Sequence, residues 1–149
     1  MAKTKGLKVV GFGGREFDDY EAVKEACKNC GFEIGVIGHG DAPGADKLFG
    51  RYAKENNIPC ETFPAEWNNV TAEWAEVRTR YNKWKKCNEE YAFNAGFKRN
   101  SDMAEWGEAA IKMPGGNGTD DMLKKAKEKG LKIYVHKENE EDKEYEYSL

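Results

Sequence analysis

Apolar and polar positions follow two periods in alternation along this chain. Leu7 to Phe12 is a short apolar run with β-branched residues at Val9 and Val10, which predicts a buried strand. It ends in Gly13-Gly14-Arg15, a turn, and Asp18 or Asp19 can cap the helix that follows, where Val23, Ala26, Cys27 and Cys30 share one face and Gly31 is the stop. Glu33 to Ile37 predicts a second strand, and Gly38 to Asp46 is a glycine-rich loop. The next helix runs to about Asn57, with Ala45, Leu48, Phe49, Tyr52 and Ala53 at core spacing. Ile58 to Phe63 is a third, shorter strand, and its Pro59 assigns it to the sheet edge.

From Pro64 to Asn100 the rhythm breaks. Trp74, Val77, Tyr81, Trp84 and Tyr91 form an apolar stripe at helical spacing, which predicts a long helical insertion over residues 68–98. Regularity returns with a helix from Arg99 to Trp106, a strand from Ala109 to Met113, a loop of Pro114-Gly115-Gly116-Asn117-Gly118-Thr119, a helix from Asp120 to Glu128 stopped by Gly130, and a last strand from Leu131 to Val135. Strands alternating with helices at this length predict right-handed crossovers, and so an α/β fold: a Rossmann-like parallel sheet of about five strands with helices on both faces and the helical insertion added.

At 149 residues one domain is expected, covering residues 1–136, with 137–149 as a tail. No apolar stretch is long enough to span a bilayer, and Met1 to Lys5 leads into a strand without a signal-peptide apolar region, so the expectation is a cytoplasmic protein with no membrane partner. Its four cysteines are then expected as thiols, with Cys27 and Cys30 in the core, because no second pair stands at metal spacing. No metal and no cofactor is expected. The net charge of -3 arises in the tail, whose six acids and two lysines leave 22 bases and 21 acids in the body. A neutral body gives no general reason to bind nucleic acid, and an acidic tail reads as solvated and flexible. Arg78, Arg80, Lys83, Lys85 and Lys86, mixed with aromatics, are the local exception, either as a solvated face, as a subunit interface or as a clamp on a base or single strand.

The candidate chemistry lies in the loops. In a parallel sheet all strand-to-helix turns reach the same edge, so the turns at Gly13, Gly38 and Gly115 should converge there. Gly115, Gly116 and Gly118, with Thr119 as the expected helix cap, would let backbone N–H groups meet a ligand directly. Gly13 and Gly14 would allow close approach beside the first strand with Arg15 available for a phosphate, while Gly38, His39, Gly40 and Gly44 would form a second wall. Asp46 has two readings, helix cap or ribose contact, and Arg99 suits charge pairing. Asp120 and Asp121 favour the helix dipole but would repel a phosphate at that end, and His39 is expected as a hydrogen-bonding residue of its loop.

Five segments together resemble the SLOG superfamily, and most closely its YspA-related branch: Gly13 to Val23 (GGREFDDYEAV), Gly44 to Asp46 (GAD), Pro64 to Trp67 (PAEW), Arg99 to Met103 (RNSDM) and Pro114 to Met122 (PGGNGTDDM). The superfamily includes the Lonely Guy phosphoribohydrolases and the DNA-processing protein DprA. The resemblance covers residues 7–136 without the insertion, and it implies a nucleotide-like ligand held by these loops, with Asn100 beside Arg99 and Pro114 to Thr119 in its site. The Lonely Guy enzymes cleave the N-glycosidic bond of nucleoside monophosphates with an Arg, which Arg99 matches, and a Glu ending PGGxGTxxE, where this chain has Met122. A thioether can neither take that proton nor stabilise the cationic centre. The expectation is therefore a sensor or sequestering protein for an ADP-ribose-type or cyclic-nucleotide signal, a role that would also serve viral counter-defence. The enzyme alternative is N-glycosidic hydrolysis or nucleoside transfer with Arg99 and either Asp46 or Asp121. A weaker alternative is single-stranded nucleic-acid binding by the insertion, and self-association through helices is expected in addition.

Overall fold

The computed structural model describes residues 6–137. Its main sheet has five parallel strands in the order β3-β2-β1-β6-β7, formed by β1 (Leu7–Phe12), β2 (Ile34–His39), β3 (Cys60–Thr62), β6 (Ala109–Lys112) and β7 (Lys132–Val135). The α/β class, the five strands and the place of β3 at an edge agree with the sequence. The chain leaves β1 to build one side of the sheet and returns to build the other, so the order reverses between β1 and β6. A crevice opens at such a reversal, outside the carboxyl ends of the strands.

Four helices cover the two faces. On β1, Val9 and Val10 point to opposite sides, as strand alternation requires. Val9 joins the core formed with α1 (Tyr20–Asn29) and α2 (Ala45–Glu55), where Val23, Ala26, Cys27, Phe49 and Ala53 are buried. Val10 joins the second core, formed with α3 (Ala95–Trp106) and α4 (Asn117–Glu128), where Met103, Ala104, Met122 and Ala126 are buried. Cys27 and Cys30 are free thiols, the first buried and the second packed against the first core; burial pushes the Cys27 thiol up to about 12. Asp19 caps α1 by accepting from the Ala22 N–H at 3.1 Å, and Gly31 and Gly130 follow α1 and α4 in the left-handed conformation, at φ +89° and +76°.

The insertion is not a helix. Residues 77–92 form an antiparallel hairpin, β4 (Val77–Asn82) and β5 (Cys87–Ala92), as a separate two-stranded sheet. Val77, Thr79 and Tyr81 alternate with Arg78, Arg80 and Asn82, and this period of two competes with the helical spacing of the aromatics. The turn contains neither glycine nor proline. Asn82 makes it instead, its side-chain oxygen accepting from the N–H groups of Trp84 and Lys85 at 2.9 and 3.0 Å, with Lys86 at φ +56°. The α3 helix also begins at Ala95, four residues before the expected Arg99. Apart from Lys137, the predicted acidic tail lies outside the described residues.

Candidate functional site

The loops after β1, β2 and β6 meet at one residue. Gly14 donates its N–H to the Pro114 carbonyl at 2.8 Å, and its own carbonyl accepts from Ala45 N–H at 3.0 Å. Gly44, at φ +84°, passes so close to the carbonyl of Gly14 that any Cβ there would collide with it. Convergence of the three loops is thus made by main-chain hydrogen bonds, which leave side chains free for other work.

The loop after β2 is organised around the peptide of Gly40. Asp46 Oδ2 accepts from the N–H groups of Gly40 and Ala42 at 3.1 and 3.3 Å, and Arg99 Nη1 donates to the carbonyls of Gly40 and Phe63 at 2.8 and 3.3 Å. Burial pushes the Asp46 carboxyl up to about 6, against the downward pull of the two N–H groups and of Arg99 and Arg15. The same burial lowers Arg99, with Asp46 opposing. His39 is buried, accepts from Asp41 N–H through Nδ1 at 3.0 Å, and has its pKa lowered by desolvation. It is a hydrogen-bonding residue of its loop, and Gly38 lies beneath Trp106 and Phe63.

On the other side, α4 begins at Asn117, three residues before the expected Asp120, and Gly116 takes the cap position expected for Thr119. No side-chain hydrogen bond closes that cap. Thr119 is buried within the first turn with its hydroxyl against Gly115, and Asp120 N–H closes the turn on the Gly116 carbonyl at 2.9 Å. The N–H groups at the start of a helix have no partner within it and carry the positive end of its dipole, so this end favours negative charge nearby. Asn100 steadies it by donating to the Gly118 carbonyl at 3.3 Å and to Asp121 at 3.1 Å. Lys125 holds both oxygens of Asp121 at 2.7 Å. Of the two acids expected to oppose a phosphate, Asp121 is therefore turned aside.

Between these parts lies a cavity of about 850 Å³. Gly13, Gly14, Arg15, Asp46, Arg99, Asn100 and every residue from Pro114 to Thr119 line it. Gly38, His39, Gly40 and Gly44 do not; they shape the loop that presents Ala42 and Asp46. Asp120 and Asp121 are also outside it, while Met122, placed where the Lonely Guy pattern has its Glu, is buried in the wall. Glu16 and Asp46 supply the carboxylates of the lining.

The rest of the wall is apolar, and the sequence reading of the site does not contain it. Phe12, Phe17, Met103 and Met122 line the cavity, and so do the aromatic side chains of Trp67, Tyr91, Phe93 and Phe97. Trp67, Phe93 and Phe97 keep 38, 36 and 43 % of their surface exposed. Tyr91 is part of the aromatic stripe, but a helix there would carry it elsewhere. Among the described residues no group of three or more His, Cys, Asp or Glu is placed to hold a metal ion, and no helix is long and apolar enough to cross a membrane.

Residues 7–70 match the model of the YspA, cpYpsA-related SLOG family. Among solved structures the chain is similar to the DNA processing protein A (DprA) of Streptococcus pneumoniae, with 18% identity and a TM-score of 0.61 over 86% of this chain. It spans 49% of that protein, and at this identity the likeness is one of fold. Curated proteins offer no match. The β1 and β2 loops lie inside the stretch that is similar to this SLOG family, and the loop after β6, beyond that stretch, stands on the same parallel sheet.

Proposed function

We propose that this cavity binds a nucleotide-derived small molecule of the ADP-ribose or cyclic-nucleotide class, and that the chain acts as its sensor or sequestering protein. One observation carries the reading. The open N-terminus of α4 and the Arg15 side chain line the same cavity as a broad apolar wall, so an anionic group and a base have complementary surfaces within one volume. A phosphate belongs at Asn117 to Thr119 and Arg15. The sugar then lies along Asp46, Arg99 and Asn100, where hydroxyl groups meet both a carboxylate and an amide.

A second reading is favoured by Asp46, the buried carboxyl of the lining, whose pKa of about 6 suits an acid that gives and retakes a proton near neutrality. It makes the protein an N-glycosidase or nucleoside transferase in which Asp46 protonates the leaving base. Met122 speaks against it, since a thioether at the position of the missing Glu neither takes a proton nor stabilises a cationic centre.

The test is a thermal-shift screen with AMP, ADP-ribose, its cyclic isomers and cyclic dinucleotides, followed by mass spectrometry of each mixture. A ligand at about 100 times its dissociation constant adds ~2.7 kcal/mol, which raises the melting temperature of a domain this size by roughly 5–10 °C. A shift with the ligand returned intact supports the binding protein, and free base in the mixture replaces it with the glycosidase. Tighter binding to single-stranded DNA than to any mononucleotide, lost steeply with added salt, would overturn both.

A further inference from the structure

The hairpin lies beyond the residues that match the family, and its strands pair only with each other, yet it sends Tyr91 and Phe93 into the cavity wall. We propose that the hairpin, with Trp67, is a stacking wall for a planar heteroaromatic base and selects the ligand that the glycine loops hold; this rests on the nucleotide reading of the cavity.

Hydrogen bonds within the chain hold the wall in place. Ala92 N–H donates to the Trp67 carbonyl at 2.7 Å and Phe93 N–H to the Glu76 carbonyl at 2.8 Å, joining the base of the hairpin to the Trp67 turn. Asn94 accepts from Glu76 N–H at 2.7 Å and donates to the Trp74 carbonyl at 2.9 Å, which fixes the hairpin to the start of α3. Tyr91 lies in β5 and Phe93 directly follows the strand, and their rings meet edge to face with centres 6.4 Å apart.

Each ring is also backed by a cation. The Arg78 guanidinium lies 3.5 Å from the Phe93 ring centre and that of Arg80 lies 4.3 Å from the Tyr91 ring centre. Glu76 and Glu89 hold the two arginines at 2.8 and 3.3 Å. Such rings lose little freedom when a base stacks on them, and a cation on one face favours an electron-rich partner on the other. The α4 N-terminus and Arg15 line the same cavity, so a ligand that meets both surfaces needs an anionic group and a flat ring in one molecule. A sugar phosphate satisfies only one surface.

Calorimetric titration of the full chain with AMP, ADP-ribose and ribose 5-phosphate tests this. The wild type should bind AMP and ADP-ribose more tightly than ribose 5-phosphate. Tyr91→Leu and Phe93→Leu should each weaken the two base-bearing probes at least roughly fivefold and leave ribose 5-phosphate unchanged, whereas Tyr91→Phe should keep wild-type affinity. Unchanged melting temperatures without ligand would establish that both Leu variants fold. Equal weakening of all three probes, or none, overturns the stacking wall. If the wild type binds AMP, Arg15→Ala abolishes it and the ring variants do nothing, the hairpin proposal alone falls. If the wild type binds neither these probes nor a cyclic dinucleotide, the nucleotide reading falls and takes the proposal with it.

Discussion

Replacing the Asp46 carboxyl by an amide should remove a loss of stability that develops as pH rises. In the folded chain Asp46 is 6% exposed and its carboxyl is pushed up to about 6 from an ordinary value of 3.8, mainly by burial. An acid whose pKa rises on folding holds its proton more tightly in the native state, so stability declines as pH rises between the two values. Two units at about 1.36 kcal/mol each give a full penalty of about 3 kcal/mol above the folded pKa. Of this, about 2 kcal/mol develops between about pH 4 and about pH 7. The amide of the Asp46→Asn variant has no charge to bury and keeps an oxygen for the Gly40 and Ala42 N–H groups. Urea denaturation of both proteins across that window isolates Asp46, because every other titrating group cancels in the difference. The wild type should lose about 2 kcal/mol relative to Asp46→Asn as pH rises. A difference that is flat, or that grows in favour of the wild type, would refute the reasoning, since Arg99 and the two N–H groups would then outweigh burial.

Gly40→Ala places a Cβ against Arg99 Nη1 and 2.9 Å from Asp46 Oδ2, so it should cost about 1–3 kcal/mol in urea denaturation and weaken any ligand shift, which an unaltered shift would contradict. Asp19→Ala removes the α1 cap and should cost about 1 kcal/mol by the same measurement while leaving ligand shifts intact. Phe49→Ala empties the centre of the first core, where Phe49 is fully buried, and should lower stability by about 3–5 kcal/mol. A loss under about 1 kcal/mol would mean that α2 collapses onto the sheet without it.

Strands and helices of the sheet were legible in the sequence because each carries a clean period and a local stop. Gly31 and Gly130 end helices that begin where polar residues permit, and Pro59 marks an edge strand that cannot be central. The glycine loops were legible as a group, since parallel topology brings them to one edge. Their division of labour was not. Gly38, His39, Gly40 and Gly44 share the composition of a ligand loop, but the first three are buried and Gly44 packs against the Gly14 carbonyl, and only contacts distant in sequence, such as Arg99 to Gly40, reveal it. The hairpin was missed because Asn82 and Lys86 turn the chain without glycine, and because apolar residues at 77, 81, 84 and 91 satisfy a helical count as easily as part of a strand alternation. With that element misread, the aromatic wall could not be placed.

The two-stranded ribbon enters the chain between an edge strand and α3, and none of its strands is a rung of the parallel ladder. Its length and ring content can drift without changing the register of a single rung or the hydrogen bonds at Gly14. Under the proposed reading, grip and discrimination would thus sit on separately replaceable parts, and a grafted ribbon would retune which base the same loops accept.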